Sequence, residues 1–310
     1  MRARHWVALG PGGLDDFAIV DAAVPAPQAG EVTIEVIASG VNPADLKHPR
    51  SAAQFPLPVG YEVSGRLVAI GENTELASGP AAVGDDVLAF RVSGGYATAL
   101  TVPAEKVFAK PRSLGFDEAA GLLLAGCTAA DMLRASRATR GELIVVHGAS
   151  GAVGIAILQL ARIGGITVIG TCGSHSAPRV RDHGGAPVDY GPGVGERIRT
   201  AAQGAPVAAA LDTVGTDEAL DTSLKLVDDH SRIVTIAAPA RAARDGLLAL
   251  GGRQPESVAF RDSIRSTVIQ LAGNGDLEVE IAARFAFDDA RAALRLVAEG
   301  HAGGKVVIRP

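Results

Sequence analysis

The segment VVHGASGAVG (residues 145–154) decides the fold that the sequence predicts. An apolar run ends in a tight group of Gly, Ala and Ser, and a helical pattern follows over about 152–163. A strand that turns through glycine directly into a helix brings backbone N–H groups and the positive end of the helix dipole to one point. Such a turn is typical of phosphate binding, although the same turn also occurs without a ligand.

Short apolar strands alternate with helical segments around this turn. Strands are predicted at 143–146, 167–171, 207–212 and 232–238, and helices at about 152–163, from about 177, and at about 217–227. This alternation predicts βαβ units and a parallel sheet covered on both faces. The first 115 residues differ, because strand patterns such as EVTIEVIAS (31–39) are separated by dense Pro and Gly, which favours antiparallel strands.

Composition excludes several classes of protein. The chain has 310 residues, of which 47% are hydrophobic and 20% charged, and this predicts a well-packed globular protein of about two domains. The net charge of −5 and the lack of a basic run argue against nucleic-acid partners. Two cysteines cannot form a disulfide framework, and the sequence has neither a signal-peptide pattern nor a long apolar span. We expect a cytoplasmic enzyme with no membrane partner.

The glycine turn meets the sequence requirements of a dinucleotide site. Gly151 would let the backbone approach a pyrophosphate, and Gly154 would let the helix pack against the strand. A strand precedes the turn, a helix follows it, and a second strand begins about 20 residues on. The candidate pyrophosphate-binding residues are Ser150, Gly151, Ala152, Val153 and Gly154.

The second strand indicates which dinucleotide would bind. A carboxylate at its tip would accept from a ribose 2′-hydroxyl and select NAD. No Asp or Glu lies between Glu142 and Asp182, whereas Gly173 and Ser174 form the tip and Arg179 follows. This pattern favours NADPH, because arginine binds a 2′-phosphate, although Arg179 is equally explained as a solvated helix residue.

Several motifs in order resemble the medium-chain dehydrogenase/reductase superfamily, specifically its zinc-free quinone oxidoreductase (zeta-crystallin-like) branch. They are PAPQAGEVTIEVIASGVNPADL (25–46), PVGYEVSGRLVAIG (58–71), GDDVLAF (84–90), GGYATALTVPAEKVFAKP (94–111), AGCTAADML (125–133), the glycine turn and GGKVVIRP (303–310). The resemblance implies an α/β protein with a mostly-β GroES-like catalytic domain (1–115 and 257–310) and a doubly wound Rossmann domain (116–256). It also implies an active site where the two meet, and a homodimer joined through an edge strand, for which GLLALGG (246–252) is the candidate.

The resemblance also bears on whether the chain binds zinc. Zinc members carry Cys where this chain has Asn42 and His where it has Tyr61. The two cysteines are Cys127 and Cys172, too few for a closed structural site, and the histidines are scattered singly. We therefore predict that no zinc is bound.

Further site residues follow from the resemblance. It implies that Asn42 donates to the acceptor oxygen, that Thr128 lies beside the nicotinamide, and that Tyr190 contacts the 2′-phosphate. Ala237, in the loop after RIVTIAA (232–238), would offer backbone contacts to the nicotinamide. Asn42 is also explained as an ordinary Asn-Pro turn residue, and Thr128 as a hydroxyl bonded within its own helix.

Two departures from the family pattern bear on the substrate and on the cofactor. No Tyr follows the Asn-Pro-x-Asp turn in DLKHPRSAAQF (45–55), and a phosphate-binding Lys is missing near Ala177, so Arg179 must replace it or the NADPH preference is weaker. Without zinc to polarise an alcohol, hydride transfer from NADPH to a quinone or similar conjugated carbonyl is favoured. The alternatives are an enone, 2-alkenal or enoyl-thioester reductase, and a non-catalytic NADPH-binding sensor or structural protein.

Overall fold

The structure of the chain is a computed structural model that describes residues 1–252, 254–300 and 302–310. These residues form two compact units. The first comprises Met1–Leu124 and Ala272–Pro310, and the second comprises Ala125–Leu271. The sequence-based domain boundaries, by comparison, are 115/116 and 256/257.

The strands and α-helices are numbered in chain order. The strands are β1 (Arg2–Ala8), β2 (Phe17–Ala23), β3 (Glu31–Val41), β4 (Leu57–Pro58), β5 (Glu62–Ile70), β6 (Asp86–Phe90), β7 (Ala99–Pro103), β8 (Val107–Ala109), β9 (Leu143–His147), β10 (Thr167–Cys172), β11 (Gly185–Asp189), β12 (Val207–Asp212), β13 (Ile233–Thr235), β14 (Leu248–Ala249), β15 (Ile281–Ala286) and β16 (Lys305–Arg309). The helices are α1 (Pro43–Arg50), α2 (Phe116–Ser136), α3 (Ala152–Gly164), α4 (Ala177–Asp182), α5 (Val194–Ala202), α6 (Asp217–Leu226), α7 (Pro239–Asp245), α8 (Pro255–Ser263), α9 (Arg265–Gly273) and α10 (Ala290–Ala298).

Antiparallel pairing dominates the first unit, as the sequence predicts. β3 is its central strand and pairs antiparallel with β5, β7 and β16. The larger sheet has the order β15-β16-β3-β5-β6-β8, with β7 also on β3, and a smaller sheet has the order β2-β1-β4. Val32, Ile34 and Val36 alternate along β3 and are buried in one hydrophobic cluster. The C-terminal strand β16 thus lies directly beside β3.

The second unit contains a parallel sheet in the order β11-β10-β9-β12-β13-β14. All five residues of β9 are buried. In α3, Ile155, Leu158 and Ala161 are buried, and the helix ends at Gly165, whose φ of 72° suits glycine. The mixed α/β class, with one antiparallel and one parallel unit, is therefore confirmed.

Three elements differ from the predictions. β11 contains Pro187 and was not predicted, but it lies at the sheet edge, where the missing N–H of proline is tolerated. β13 ends at Thr235, because the Thr235 hydroxyl accepts hydrogen bonds from the N–H groups of Ala237 and Ala238. The sequence after about residue 256 has one long helical pattern (SIRSTVIQLAG, 263–273), whereas the structure forms two helices, α8 and α9.

An ion pair explains why α8 belongs to the second unit. Arg261 on α8 donates to the fully buried Asp131 of α2 over 3.0 Å, and Arg134 donates to the other oxygen of Asp131 over 2.7 Å. The Arg134 guanidinium also stacks on Phe260, 4.8 Å from the ring centroid. The sequence pattern carries no sign of this contact, because the paired residues are far apart in the chain.

Candidate functional site

The glycine turn joins β9 to α3, and its two inner glycines differ in the room around them. A Cβ atom on Gly154 would lie 2.3 Å from the carbonyl oxygen of Gly148, so only glycine lets the helix approach the strand end here. A Cβ atom on Gly151 would meet only that same oxygen, at 3.5 Å, which is an ordinary contact. Gly151 is also the N-cap of α3, so N–H groups of the first helical turn lack helical acceptors. The turn therefore fits a pyrophosphate group.

Two aromatic side chains lie at the carboxyl end of β10. A Cβ atom on Gly173 would lie 3.3 Å from the His175 ring and 3.6 Å from the Tyr190 ring. Ser174 and Tyr190 are exposed, and Arg179 is half-buried on α4. Of the predicted adenosine-side residues, Gly173, Ser174 and Tyr190 thus lie at the tip of β10 or directly beside it.

A carboxylate that the sequence argument did not consider also lies at this edge. Asp189, the last residue of β11, pairs with Cys172, the last residue of β10. Burial raises the pKa of the Cys172 thiol, and the nearby Asp189 carboxylate raises it further, whereas Arg181 lowers it. The tip of β10 itself carries no carboxylate, but the neighbouring strand supplies one.

Arg197 fixes the loop that carries Tyr190. Its guanidinium donates to the backbone carbonyl oxygens of Asp189, Tyr190, Gly191 and Pro192, over 2.8–3.2 Å. This loop has a positive φ at Gly191 and Gly193, and its carbonyl groups would otherwise require water. The Arg197 side chain therefore holds the backbone that carries the exposed Tyr190 ring.

A buried network organises the loops after β12 and β13. Asp212 accepts from the N–H groups of Val214 and Gly215 over 3.0 and 2.9 Å, and from the Thr235 hydroxyl over 2.6 Å. A Cβ atom on Gly215 would lie 2.9 Å from the Cβ of Ala237, so the two loops are in contact. Sequence reasoning identified Ala237 but missed Asp212 and Thr235, which position its loop.

His147 ends β9 directly before the glycine turn and is buried. Its ring contacts the hydroxyl oxygens of Ser223, at 3.1 Å, and Thr171, at 3.3 Å. Burial lowers the pKa of His147 to about 4. The negative charges of Asp212 and Glu218 raise this pKa, but burial has the larger effect. The imidazole is therefore neutral near pH 7 and acts as a hydrogen-bonding member of the core.

The two predicted catalytic residues belong to different units. Thr128 is a buried residue of α2 in the second unit. Asn42 lies in the first unit, at the N-terminus of α1, and is only 3% exposed. Its side-chain amide donates to Glu62 Oε1 over 2.9 Å and to the carbonyl oxygen of Gly40 over 3.3 Å. Its carbonyl oxygen accepts from the ammonium of Lys305 over 2.6 Å.

A second buried acid lies on the other side of Asn42. The carboxylate of Asp45 accepts from the backbone N–H of Asn42 and from the Tyr96 hydroxyl, each over 2.7 Å. Its other oxygen is buried without a hydrogen-bond partner. Burial raises the pKa of Asp45 to about 7, outweighing the hydrogen bonds from Tyr96 and Asn42, which lower it. Neither Asp45 nor Lys305 was identified from the sequence.

Neither unit contains, in its described residues, a group of three or more His, Cys, Asp and Glu side chains that could hold a metal ion. Among residues 1–252, 254–300 and 302–310, no helix is both long and apolar enough to span a membrane.

Two domain families match the chain. Residues 28–112 match the family described as "Alcohol dehydrogenase GroES-like domain", and residues 186–308 match "Zinc-binding dehydrogenase". The first match falls in the antiparallel unit and the second begins in the parallel-sheet unit. Together they support the predicted pairing of a GroES-like domain with a Rossmann-like domain.

Curated relatives resemble parts of the chain. "Quinone oxidoreductase" of Rattus norvegicus is 32% identical over 226 residues, which cover 70% of this chain and 67% of that protein. "Synaptic vesicle membrane protein VAT-1 homolog" of Mus musculus is 36% identical over 196 residues, which cover 60% of this chain and 47% of that protein. The chain spans about half the length of several curated relatives.

Solved structures share the fold over nearly the whole chain. A mycobacterial protein complexed with NADPH has a TM-score of 0.84 and 25% identity, and the match covers 99% of this chain and 100% of that one. CurK enoyl reductase has a TM-score of 0.87 and 23% identity, covering 99% of each chain, and this likeness concerns the fold alone.

Proposed function

Because the chain belongs to the medium-chain dehydrogenase/reductase superfamily, in its quinone oxidoreductase branch, we propose that it reduces a quinone or a similar conjugated carbonyl with NADPH and without zinc. The observation that carries this proposal is the turn from Gly148 to Gly154. It combines a helix N-terminus with a Gly151 whose surroundings would give an added Cβ atom only one ordinary contact, and this suits the close approach of the pyrophosphate of a nicotinamide dinucleotide. When bound, the reduced nicotinamide supplies the hydride.

NADPH is the proposed cofactor because of the groups around Gly173. Ser174 and the exposed Tyr190 offer hydroxyl groups to a 2′-phosphate, and Arg179 offers a positive charge. Asp189 opposes this preference, since a carboxylate repels phosphate and accepts well from a ribose hydroxyl. The preference therefore depends on Arg179 and Tyr190 outweighing Asp189.

Zinc does not fit the chemistry of the residues around Asn42. The oxygen atoms of Asn42 and Glu62 both accept from the ammonium of Lys305, so these two oxygen ligands already neutralise a buried positive charge. Zinc also favours sulfur and imidazole ligands, and neither is supplied by Asn42 or Tyr61. The proposed reaction therefore has no step that uses a metal ion.

The chain's own residues have three proposed tasks in the reaction. The turn and α3 bind the pyrophosphate, the Ala237 loop and Thr128 orient the nicotinamide, and Asn42 donates to the acceptor oxygen as negative charge develops there. Asn42 can donate by exchanging its longer bond, the 3.3 Å contact with Gly40.

We also propose a cytoplasmic homodimer joined through β14, the edge strand of the parallel sheet.

The test measures cofactor binding and turnover separately. Titration of NADPH and of NADH should show tighter binding of NADPH, and equal affinities would contradict the cofactor assignment. With saturating NADPH and a metal chelator present, 1,4-naphthoquinone should be reduced. Turnover of a 2-alkenal or an enoyl thioester but not of the quinone would assign the double-bond reductase instead. NADPH binding without turnover of any of the three would indicate a non-catalytic binding protein.

A further inference from the structure

The ammonium of Lys305 lies at the centre of a buried polar group in the first unit. Lys305, Asn42 and Glu62 are each at most 3% exposed. Lys305 Nζ donates to Glu62 Oε1 and to Asn42 Oδ1. The three residues come from β16, the start of α1 and β5, so the contact joins three separate segments of the chain.

The fold leaves a fitted space for the lysine side chain. A Cβ atom on Gly121 would lie 2.6 Å from Lys305 Cγ. A Cβ atom on Gly40 would lie 2.5 Å from Glu62 Oε1 and 2.2 Å from the carbonyl oxygen of Ala120. Both positions require glycine for the ion pair to form, which indicates a specific arrangement.

Lys305 determines which way the Asn42 amide faces. With the carbonyl oxygen toward the ammonium, the amide NH2 faces the Glu62 carboxylate and the carbonyl oxygen of Gly40. Rotating the amide by half a turn would place its NH2 against the ammonium and its oxygen against the carboxylate, two repulsive contacts. The Glu62 carboxylate itself accepts from the backbone N–H of Leu124 over 2.9 Å. The carboxylate therefore cannot readily shift to follow a rotated Asn42 amide.

We propose that Lys305 is a positioning residue, which holds the Asn42 amide with its NH2 group oriented as a donor. This inference rests on the proposed function, in which Asn42 donates to the acceptor oxygen. In this proposal Lys305 acts through Asn42 and not on the acceptor. Without the ammonium, nothing holds the amide oxygen in place, and once the Glu62 carboxylate is neutralised as well, the amide has two orientations, only one of which presents a donor.

Two variants separate positioning from a purely structural role. Lys305→Met keeps an unbranched stem and removes the charge. The double variant Lys305→Met with Glu62→Gln removes both charges, and so relieves the buried, unpaired carboxylate that the single variant leaves. We expect the double variant to regain most of the thermal stability lost in the single variant.

The kinetic measurement uses NADPH and 1,4-naphthoquinone. The double variant should lower kcat about tenfold or more, because a misoriented donor does not stabilise the developing charge, and the single variant should lower kcat less, because the Glu62 carboxylate still attracts the amide NH2 group. The KM for NADPH should stay unchanged. Recovery of kcat together with stability in the double variant would overturn the proposal.

A second measurement does not depend on activity. Solvent exchange of the Asn42 side-chain amide hydrogens, followed by ¹⁵N NMR and assigned with an Asn42→Asp sample, should be at least tenfold faster in the double variant than in the wild type. Unchanged exchange would overturn the positioning role. If the wild-type protein reduces no acceptor, the proposed function fails, and the exchange rates still decide the inference.

Discussion

Gly154 lies so close to Gly148 that a Cβ atom on Gly154 would come within 2.3 Å of the Gly148 carbonyl oxygen. At Gly151, three residues earlier, the same oxygen would lie 3.5 Å from an added Cβ. Two glycines of one motif therefore serve different purposes. Gly154 lets the helix pack against the strand end, whereas Gly151 leaves room above the turn.

Replacing Gly154 by Ala should destabilise the protein. The added methyl group forces the start of α3 away from the turn, and overpacking of this kind costs about 1–3 kcal/mol in the free energy of unfolding. The single tryptophan, Trp6, lies in the first unit, whereas Gly154 lies in the second, so tryptophan fluorescence is not the suitable signal. Urea unfolding followed by far-UV circular dichroism measures the change. An unfolding free energy equal to that of the wild type would contradict the packing role.

Replacing Gly151 by Ala should weaken cofactor binding and leave stability within about 0.5 kcal/mol of the wild type. Its φ of −78° is available to alanine, and the new methyl group would make only an ordinary contact with the Gly148 oxygen while standing where the pyrophosphate is proposed to approach. We expect the Kd for NADPH to rise about tenfold, the equivalent of about 1.4 kcal/mol. Fluorescence titration of NADPH measures this, and Gly154→Ala provides the matched comparison within the same motif.

The ion pair between Arg261 and Asp131 gives a third prediction. Arg261→Met removes a charged hydrogen bond to a fully buried carboxylate, although Arg134 still contacts Asp131. We expect a loss of about 1.5–3 kcal/mol in the free energy of unfolding. The double variant Arg261→Met with Asp131→Leu should recover much of this loss, because no buried charge remains unpaired.

A surface ion pair serves as the control for this prediction. Arg199 pairs with Glu196, and their side chains are 49% and 79% exposed. Arg199→Met should change the unfolding free energy by less than about 0.5 kcal/mol. A loss in Arg261→Met no larger than the loss in Arg199→Met would show that the buried pair does not hold α8 in place.

The sequence predicted local elements well and long-range contacts poorly. The glycine turn, α3 and β12 follow from periodicity and turn residues that are close together in the chain. β11 was missed because Pro187 is unfavourable in a strand, and only its edge position makes it acceptable.

The candidate site shows the same division. Gly151, Gly173 and Ala237 follow strand ends, so alternation of strands and helices predicts that they share one edge of the sheet. The bond between Lys305 and Asn42 joins residues 263 positions apart, and the hydroxyl of Thr235 reaches Asp212 from a neighbouring strand. No local pattern encodes such pairs, because they depend on strand order and register.

The buried acid Asp45 gives a pH-dependent prediction. Burial raises the pKa of Asp45 to about 7, from an ordinary value of 3.8. The folded protein therefore binds a proton more tightly than the unfolded chain, and the stability linked to Asp45 is present below about pH 4 and is lost as the pH rises to about 7. His147 acts in the opposite sense, because burial lowers its pKa to about 4, so its contribution is lost as the pH falls below 6.5.

Because Asp45 and His147 change the stability in opposite directions with pH, the contribution of Asp45 is measured as the difference in unfolding free energy between Asp45→Asn and the wild type. The unfolding free energy of Asp45→Asn relative to wild type should rise between pH 5 and pH 7, by at most about 1.4 kcal/mol per pH unit, and level off above pH 7. Urea unfolding at half-unit intervals from pH 5 to 8, followed by Trp6 fluorescence, measures it. Glu196→Gln, at an exposed carboxylate, should run parallel to wild type. A parallel curve for Asp45→Asn as well would mean that Asp45 is ionised throughout this range.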